Sequence, residues 1–458
     1  VDQQKMSLNL ERFKTTALFS LLFILIPLWN IPHTIAGRYI CEGLLLVLVF
    51  TNKLNWKLFF QENKALALFF AYLFLQLIFF SRDYQAAFSN FRAEWMHFIL
   101  FSIIGAGAGL FLGKKDSNKT LLFLGVAFSI PLYIHLILFA IKAIATHEIP
   151  WRYLGLSEIH GDLGYTALQA TIFLMTLCVY QKKFNLRKLS LIFLLIPCIV
   201  SPVLAKSRGG ILFVIATIIF IFIVDSINQN KGKVQYFKFL ARGALALTLC
   251  LSVYLIGVNT DPTRWNGVAS RVSLSLKGNP GEIYCQGIGS LEDTLKREGT
   301  QITTSIQKSL DSIVDGDGAR VMAARSGAEL TLQSPMGIDQ SKQAYQQAIT
   351  KQCNGAPAIF ISHTHNAWID TALAIGIPGA ALLFITLLTY MVRGRNALNT
   401  NISPIAPYGM ALFATSFLWT IRGLLDSVQR DQMLEMQAFV LAMLLGIIVA
   451  RKKGLSQG

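Results

Sequence analysis

The sequence is short of charge. Only 14% of its 458 residues are Asp, Glu, Lys or Arg, while 53% are hydrophobic. A soluble chain of this length would divide into two or three domains with about a quarter of its residues charged, so an ordinary cytosolic enzyme is excluded. Acidic residues are scarcer still, 25 against 41 basic ones, which leaves a net charge of +16. A nucleic-acid-binding protein would gather such an excess on one soluble surface. Here the basic residues flank apolar runs, and no nucleic acid is expected as a partner. A cleavable signal peptide is missing as well: residues 17–28 are apolar, but no small-residue cleavage pattern follows, so the first span is expected to act as the insertion signal.

What the sequence does have is long hydrophobic runs. Crossing about 30 Å of hydrocarbon takes roughly 20 apolar residues in a helix, because only helices and closed barrels satisfy every backbone group in lipid. Twelve runs can be drawn, near residues 15–33, 36–51, 64–81, 95–113, 119–143, 163–180, 189–205, 209–225, 239–258, 366–392, 402–425 and 433–450. Only Lys206, Ser207 and Arg208 separate the seventh from the eighth, so a re-entrant element is an alternative there. The expected fold is an all-α polytopic membrane protein with about 12 transmembrane helices and one large, mostly helical loop. It divides into residues 1–258 (nine spans), the loop at 259–365, and residues 366–458 (three spans).

Charge gives the orientation. Of the basic residues outside the long loop, 22 fall on one side of the expected membrane and nine on the other. Basic loops stay in the cytoplasm, so both termini are expected there. Nine spans then place the long loop outside. The excess of basic residues is read as a topology signal and not as a binding patch; membrane lipids are expected as partners of the chain as a whole.

Of six cysteines, Cys41, Cys178, Cys198 and Cys250 sit in apolar runs and read as small packed side chains. Cys285 and Cys353 are the pair in the external loop. An oxidising compartment allows them to join in a disulfide, and two separate thiols are the other reading. The loop itself reads as folded. Ser290 and Asp293 have the spacing of a capping box, and Leu291, Leu295, Ile302, Ile306, Leu310 and Ile313 then recur on one helix face, with Gly299 as a point where that helix could split. Asp315-Gly316-Asp317-Gly318 starts like a calcium loop, but Ala319 stands at the next ligand position, and a turn into a helix is the better reading.

Three segments put polar groups at the outer ends of spans. Lys206-Ser207-Arg208-Gly209-Gly210 joins the seventh and eighth. An Arg at a helix N-terminus, beside glycines that expose backbone N–H groups, suits an anion, and Arg forks two hydrogen bonds onto phosphate. Snorkelling to the interface is the plainer alternative. Arg320 and Arg325 lie on an expected loop helix, and either could face the membrane. Ser362-His363-Thr364-His365-Asn366-Ala367-Trp368 leads into the tenth span, followed by Gly376-Ile377-Pro378-Gly379. Partial burial of His365 would keep its imidazole neutral and able to accept a proton. A metal on His363 and His365, or a purely structural role, are the competing readings. No cluster of further ligands stands nearby, and no metal is expected.

Other polar residues have simpler readings. Arg422 and Asp426, four apart, are expected to pair, while Asp431 and Glu435 repeat that spacing with like charge. His135 reads as a hydrogen-bonded core residue. His160 and Asp162, ahead of the sixth span, are weak candidates for touching an acceptor.

Together these features resemble the bacterial O-antigen ligase and polymerase superfamily. The resemblance rests on the polytopic body, the long late loop, Ser207-Arg208-Gly209 after a span, the Arg-bearing loop helix, the Pro335-Met336-Gly337 turn, and His365-Asn366 entering a span that carries Gly376 to Gly379. Two positions depart from the family pattern. Ala374-Ile375 stands where an acidic residue commonly precedes the Gly-Ile pair, and Asp339 replaces the second glycine after the Pro-x-Gly turn.

The resemblance implies a GT-C-type glycosyltransferase of the bacterial inner membrane, with no cofactor, working on the periplasmic side. The donor would be an undecaprenyl-diphosphate-linked glycan and, for the ligase branch, the acceptor a sugar hydroxyl of lipid A-core. Arg208 and Arg320, with Lys206 and Arg325 as lesser candidates, would stabilise the departing diphosphate in place of a metal. His365, with His363 as fallback, would take the acceptor's proton, a contribution of roughly 10²- to 10⁴-fold. An O-antigen polymerase or a protein O-oligosaccharyltransferase would share this donor chemistry and differ in acceptor. A transporter is the alternative from another class. Internal repeats and midplane ionisable groups would mark one, whereas the polar candidates here gather at one face.

Overall fold

The computed structural model describes residues 2–114, 118–157, 159–181, 185–229, 262–265, 267–314, 316–400 and 404–456, with isolated positions between 243 and 259. The ninth expected span, at 239–258, falls largely outside them, as do Cys250 and Asp315. Among the described residues there is no β-strand.

Helices α1 (Asp2–Leu28), α2 (Ile35–Phe50), α3 (Trp56–Glu62), α4 (Lys64–Phe79), α5 (Tyr84–Asn90), α6 (Met96–Leu112), α7 (Asn118–Thr146), α8 (His160–Tyr180), α9 (Leu186–Leu204) and α10 (Arg208–Gln229) form the first part of a bundle. The loop domain holds α11 (Pro262–Trp265), α12 (Val268–Ser275), α13 (Pro280–Gln286), α14 (Ile288–Arg297), α15 (Thr304–Asp311), α16 (Asp317–Gln333) and α17 (Ala344–Gln352). The bundle closes with α18 (Ala367–Asn399), α19 (Ala406–Arg422) and α20 (Asp431–Ser456). Each expected apolar run outside the undescribed segment contains one of these helices. Among the described residues, six stretches are long and apolar enough to cross a membrane, or seven if α3 and α4, bent by 92° at their junction, form one broken span. At 16 and 17 residues, α2 and α19 are apolar but shorter. The chain is an all-helical, multi-pass membrane protein.

In lipid, helices gain little from burying apolar side chains against one another, so close backbone approach matters more. The seam between α6 and α20 shows this. A Cβ at Gly105 would lie 2.2 Å from the Phe439 carbonyl oxygen, and one at Gly109 2.2 Å from that of Met443. Gly105 and Gly109, one helix turn apart, therefore let α20 settle directly onto α6, while Gly107 on another face admits Val49 and Trp56.

The loop domain has a core of its own, built from Leu274, Ile283, Tyr284, Leu291, Leu295, Leu310, Ile313 and Met322 among others. Cys285 and Cys353 are joined in a disulfide with Cα atoms 5.1 Å apart, which fastens α13 to the end of α17. One expectation is corrected here. Helix α14 starts at Ile288, behind Gly287, so Ser290 lies inside it and its carbonyl accepts from the Thr294 hydroxyl at 2.9 Å; Ser290 caps nothing. The chain does break at Gly299, whose φ is +75°, and Thr303 caps α15 instead through the Ile306 N–H.

The domain sits on α18 through a pair of glycines. The Pro335-Met336-Gly337 turn docks where α18 is broken at Gly376, φ +84°. The Ile338 N–H donates to the Leu373 carbonyl at 2.8 Å and the Ile377 N–H to that of Pro335 at 2.8 Å. Pro378 would leave a regular helix with unmatched carbonyls; the turn supplies a partner at the break.

Candidate active site

Five segments converge where the loop domain meets the bundle: the start of α8, the α9–α10 turn, the first two turns of α16, residues 362–366, and the α19–α20 connection. The α9–α10 turn is tight. Lys206 has φ +51°, the Ser207 N–H donates to the Pro202 carbonyl at 2.9 Å, and the Ser207 hydroxyl accepts from the Gly210 N–H at 3.3 Å. Gly210 has to be small, because a Cβ there would sit 2.9 Å from the Cα of Gly164. Arg208 thereby becomes the first residue of α10, facing the first residue of α16. Its Nη2 and Nη1 donate to Asp317 Oδ1 and Oδ2 at 2.8 and 3.1 Å, with Arg271 Nη2 3.7 Å from the same carboxylate. Lys206 leans the other way, its Nζ 5.4 Å from the Trp151 ring.

Residues 362–366 are held from several sides. Asn366 caps α18 by accepting from the Trp368 and Ile369 N–H groups, and the Ala367 N–H donates to the Gly423 carbonyl at 2.7 Å. The Asp370 carboxylate takes the Thr364 N–H and hydroxyl, both at 2.9 Å, on one oxygen and the Ser427 hydroxyl on the other. Between these ties His365 is left at φ +55°, a left-handed backbone that a non-glycine residue holds only under outside constraint. Its ring centroid lies 4.2 Å from that of His363, and His363 Nδ1 is 2.7 Å from the Ser362 hydroxyl. His365 Nδ1 is buried and, among the described residues, has no hydrogen-bond partner.

The surroundings keep both rings neutral. Burial above all, then His363 and the Arg320 and Arg430 guanidiniums, push the His365 imidazole down to about 3, with the Asp426 carboxylate opposing. Burial and Arg430 likewise lower His363, against Asp370 and Asp426. Asp426 shows the reverse balance. Burial would raise it, but Arg422, the Tyr165 hydroxyl, Arg320 and His365 hold its carboxyl below the usual range. The Tyr165 hydroxyl donates to Asp426 Oδ2 at 2.8 Å, while Arg422 donates to the Gly164 carbonyl at 3.0 Å and stacks 3.8 Å from the Tyr165 ring centroid. Arg422 and Asp426 thus come together around an aromatic ring.

Arg320 acts through its charge on both His363 and His365, and Arg208 is tied to Asp317, three residues before Arg320 in the chain. The structure does not bring Arg325 to this group. That guanidinium donates to the carbonyls of Ser275, Lys277 and Gly278 at 2.7, 3.4 and 3.0 Å and closes the end of α12. Asp162 is buried at the start of α8, where its charge reaches Tyr165 and Arg422; His160, two residues earlier, opens the helix. Arg430 and Tyr165 were not singled out by sequence, and Asp317 only as part of a turn into a helix. The only trace of the first is the four-residue rhythm Arg422, Asp426, Arg430 at a span end. Asp431 and Glu435 are each neutralised separately, by Lys342 at 2.5 Å and Arg38 at 2.7 Å.

Guanidinium groups thus stand near two imidazoles whose pKa values are lowered, where the loop domain meets one end of the helical bundle. Residues 191–384 match the family described as O-antigen ligase, and this sets that stretch in the O-antigen ligase and polymerase superfamily. The stretch takes in Arg208, the loop domain, both histidines and the break in α18. No curated protein matches the chain.

Proposed function

We propose that the protein is an O-antigen ligase, transferring a glycan from undecaprenyl diphosphate to a sugar hydroxyl of lipid A-core on the periplasmic side of the inner membrane. The reading takes the chain as a GT-C-type enzyme with about twelve spans and both termini in the cytoplasm. The acceptor oxygen attacks the anomeric carbon, the bond from that carbon to the diphosphate breaks, and the pair of electrons leaves with the undecaprenyl diphosphate. Arg208 and Arg320 meet the charge that develops there, with Lys206 as a lesser candidate. The acceptor's proton goes to His365, with His363 as the fallback.

The observation that carries this is His365 Nδ1: a buried, unpartnered, neutral nitrogen among cations. A base with so low a pKa is weak in the empty site. The donor's diphosphate changes that, because its negative charge offsets the guanidiniums that help hold the imidazole down, so proton affinity rises when the donor is in place. Guanidinium stabilisation of the leaving group makes a metal unnecessary for this step.

Purified protein, lipid-linked donor and lipid A-core test the reading. Transfer is expected to survive a chelator and to be lost in His365→Ala and Arg208→Ala; full transfer in both variants would remove the assignment. A deletion strain separates ligase from polymerase: loss of a ligase leaves bare lipid A-core with lipid-linked polymer of normal length, whereas loss of a polymerase leaves core carrying single repeat units.

A further inference from the structure

Arg430 is a cation that the proposed reaction does not use. It ends the α19–α20 connection, and the chain is fixed on both sides of it. Gln429, 3% exposed, accepts the Thr371 hydroxyl of α18 at 2.7 Å. The Asp431 N–H donates to Glu94 Oε1 at 3.2 Å, and the Asp431 carboxylate holds Lys342 at 2.5 Å. The Arg430 carbonyl accepts from the Met433 and Leu434 N–H groups at 3.2 and 3.3 Å, which starts α20.

The guanidinium has no comparable ties. Its Nε is buried and, among the described residues, has no hydrogen-bond partner. Leaving a buried donor on a charged group unsatisfied is costly, and other arginines of the protein avoid it: Arg38 meets Glu435 at 2.7 Å, and Arg325 meets three carbonyls at the end of α12. His365 shows the same pattern as Arg430, with pinned neighbours presenting an unpartnered nitrogen. The Arg430 charge reaches both imidazoles, and Glu94 as well. It depresses His363 more than Arg320 does, whereas on His365 the order is reversed. The two ring centroids are 4.2 Å apart, so Arg430 is the cation on the His363 side of the pair and Arg320 the one on the His365 side.

We infer that Arg430 is a further cation for the donor's diphosphate, held ready on the His363 side of the paired rings. This rests on the site's being one for a lipid-linked diphosphate. The acceptor reacts through a neutral hydroxyl, so the diphosphate is the anion that the reaction supplies. Breaking its bond to the anomeric carbon adds negative charge to it, and a guanidinium whose Nε is not committed to the protein can donate to one of its oxygens.

Binding of undecaprenyl diphosphate to the purified full chain, with transfer rates and unfolding midpoints measured alongside, tests this. Arg430→Gln is expected to weaken binding about tenfold or more, the usual scale for a hydrogen bond to a charged group, and to lower kcat. Arg430→Lys keeps the charge and should bind more tightly than the glutamine variant. Arg92→Gln removes an exposed charge two residues before Glu94 and should bind like the parent. Unchanged binding in Arg430→Gln, while Arg208→Ala loses the ligand, would overturn the role of Arg430 alone. Equal losses in Arg92→Gln and Arg430→Gln would also overturn it, by marking a general field in place of a contact. So would a loss in Arg430→Gln that comes with a collapsed unfolding midpoint and is not recovered by lysine. Failure of the larger reading looks different: the parent itself would not hold undecaprenyl diphosphate, and this inference would fall with it.

Discussion

The Arg208 guanidinium meets the Asp317 carboxylate through two hydrogen bonds, 2.8 and 3.1 Å long, that join the first residue of α10 to the first residue of α16. Both side chains are about a quarter exposed, 24% and 23%, so water screens much of their attraction and the pair adds only about 1 kcal/mol or less to stability. Its value is geometric. It fixes the plane of one cation and the start of the helix that carries the other.

Asp317→Asn should therefore leave thermal unfolding nearly unchanged, by less than about 1 kcal/mol, while lowering transfer more than this suggests. The amide holds Arg208 by one neutral hydrogen bond instead of two charge-assisted ones. Arg208→Ala should be more severe, since it removes the charge itself. Initial rates for the two variants, with unfolding midpoints measured alongside, check the order. Equal activity of Asp317→Asn and the parent protein would show that the bond positions nothing the reaction uses.

The pH profile should split. The ratio kcat/KM follows groups of the free protein, and kcat those of the loaded complex. With His365 near 3 in the empty site, kcat/KM should show no acid limb from this residue between about pH 5 and 8. If bound diphosphate raises its proton affinity, the acid limb of kcat moves to higher pH. A nitrogen-15 titration of His365 with undecaprenyl diphosphate reads the same shift directly, and a pKa that stays put or falls would sink the charge-compensation argument.

Stability follows from the same depression. Unfolded, the imidazole returns to about 6.5. Above that pH neither state binds a proton there, and the group contributes nothing. As pH falls from 6.5 toward 3, the unfolded chain takes up a proton that the folded one refuses, so stability declines across that window. His365→Gln should lose less stability between pH 6.5 and 4 than the parent, by unfolding midpoints at each pH.

Much of this was legible in the sequence because lipid imposes a strict rule: every apolar run outside the undescribed segment contains a helix, for want of any other way to satisfy the backbone. The motifs singled out His365, Arg208 and Arg320 as candidates. Arg325 misled because a helix with two arginines five residues apart does not reveal which one faces the bundle; its guanidinium turned to the three carbonyls at the end of α12. Asp317, Tyr165 and Arg430 were hidden for a related reason. Each acts through a neighbour more than a hundred residues away in sequence or across a connection, and no local spacing encodes such a pairing.

The disulfide makes a separate prediction. Cys285 and Cys353 close a long stretch of the loop domain, and such a link restricts the unfolded chain by an amount usually worth about 2 to 4 kcal/mol. Cys285→Ser should lower the stability of this domain by that order without moving the helices of the bundle. Limited proteolysis should show cleavage confined to 267–361 in the variant, and in the parent only after a reductant. Identical digestion of variant and parent would mean that the domain's own core, not the link, holds it closed.

The joint between Gly337 and Gly376 offers the sharpest test of how the loop domain is carried. Both residues have positive φ, +89° and +84°, and a Cβ on either would meet backbone of the other segment: Gly337 the Gly376 nitrogen at 2.5 Å, Gly376 the Met336 carbonyl carbon at 2.7 Å. Backbone atoms cannot step aside as a side-chain end can, so alanine must push the turn off the helix. The left-handed backbone alone costs about 1 to 2 kcal/mol for a residue with a Cβ, before any separation of the two segments. Gly337→Ala and Gly376→Ala should each lower the unfolding midpoint and also reduce transfer, because α16 ends just before the turn and carries Arg320, while α18 begins just after His365. Displacing one against the other changes the distance between the proposed cation and the proposed base. Gly299→Ala is the control. It too has positive φ, +75°, but a Cβ there would meet nothing, so it should lose stability and keep its rate. If all three variants transfer equally well, the two halves of the site do not depend on this joint for their spacing.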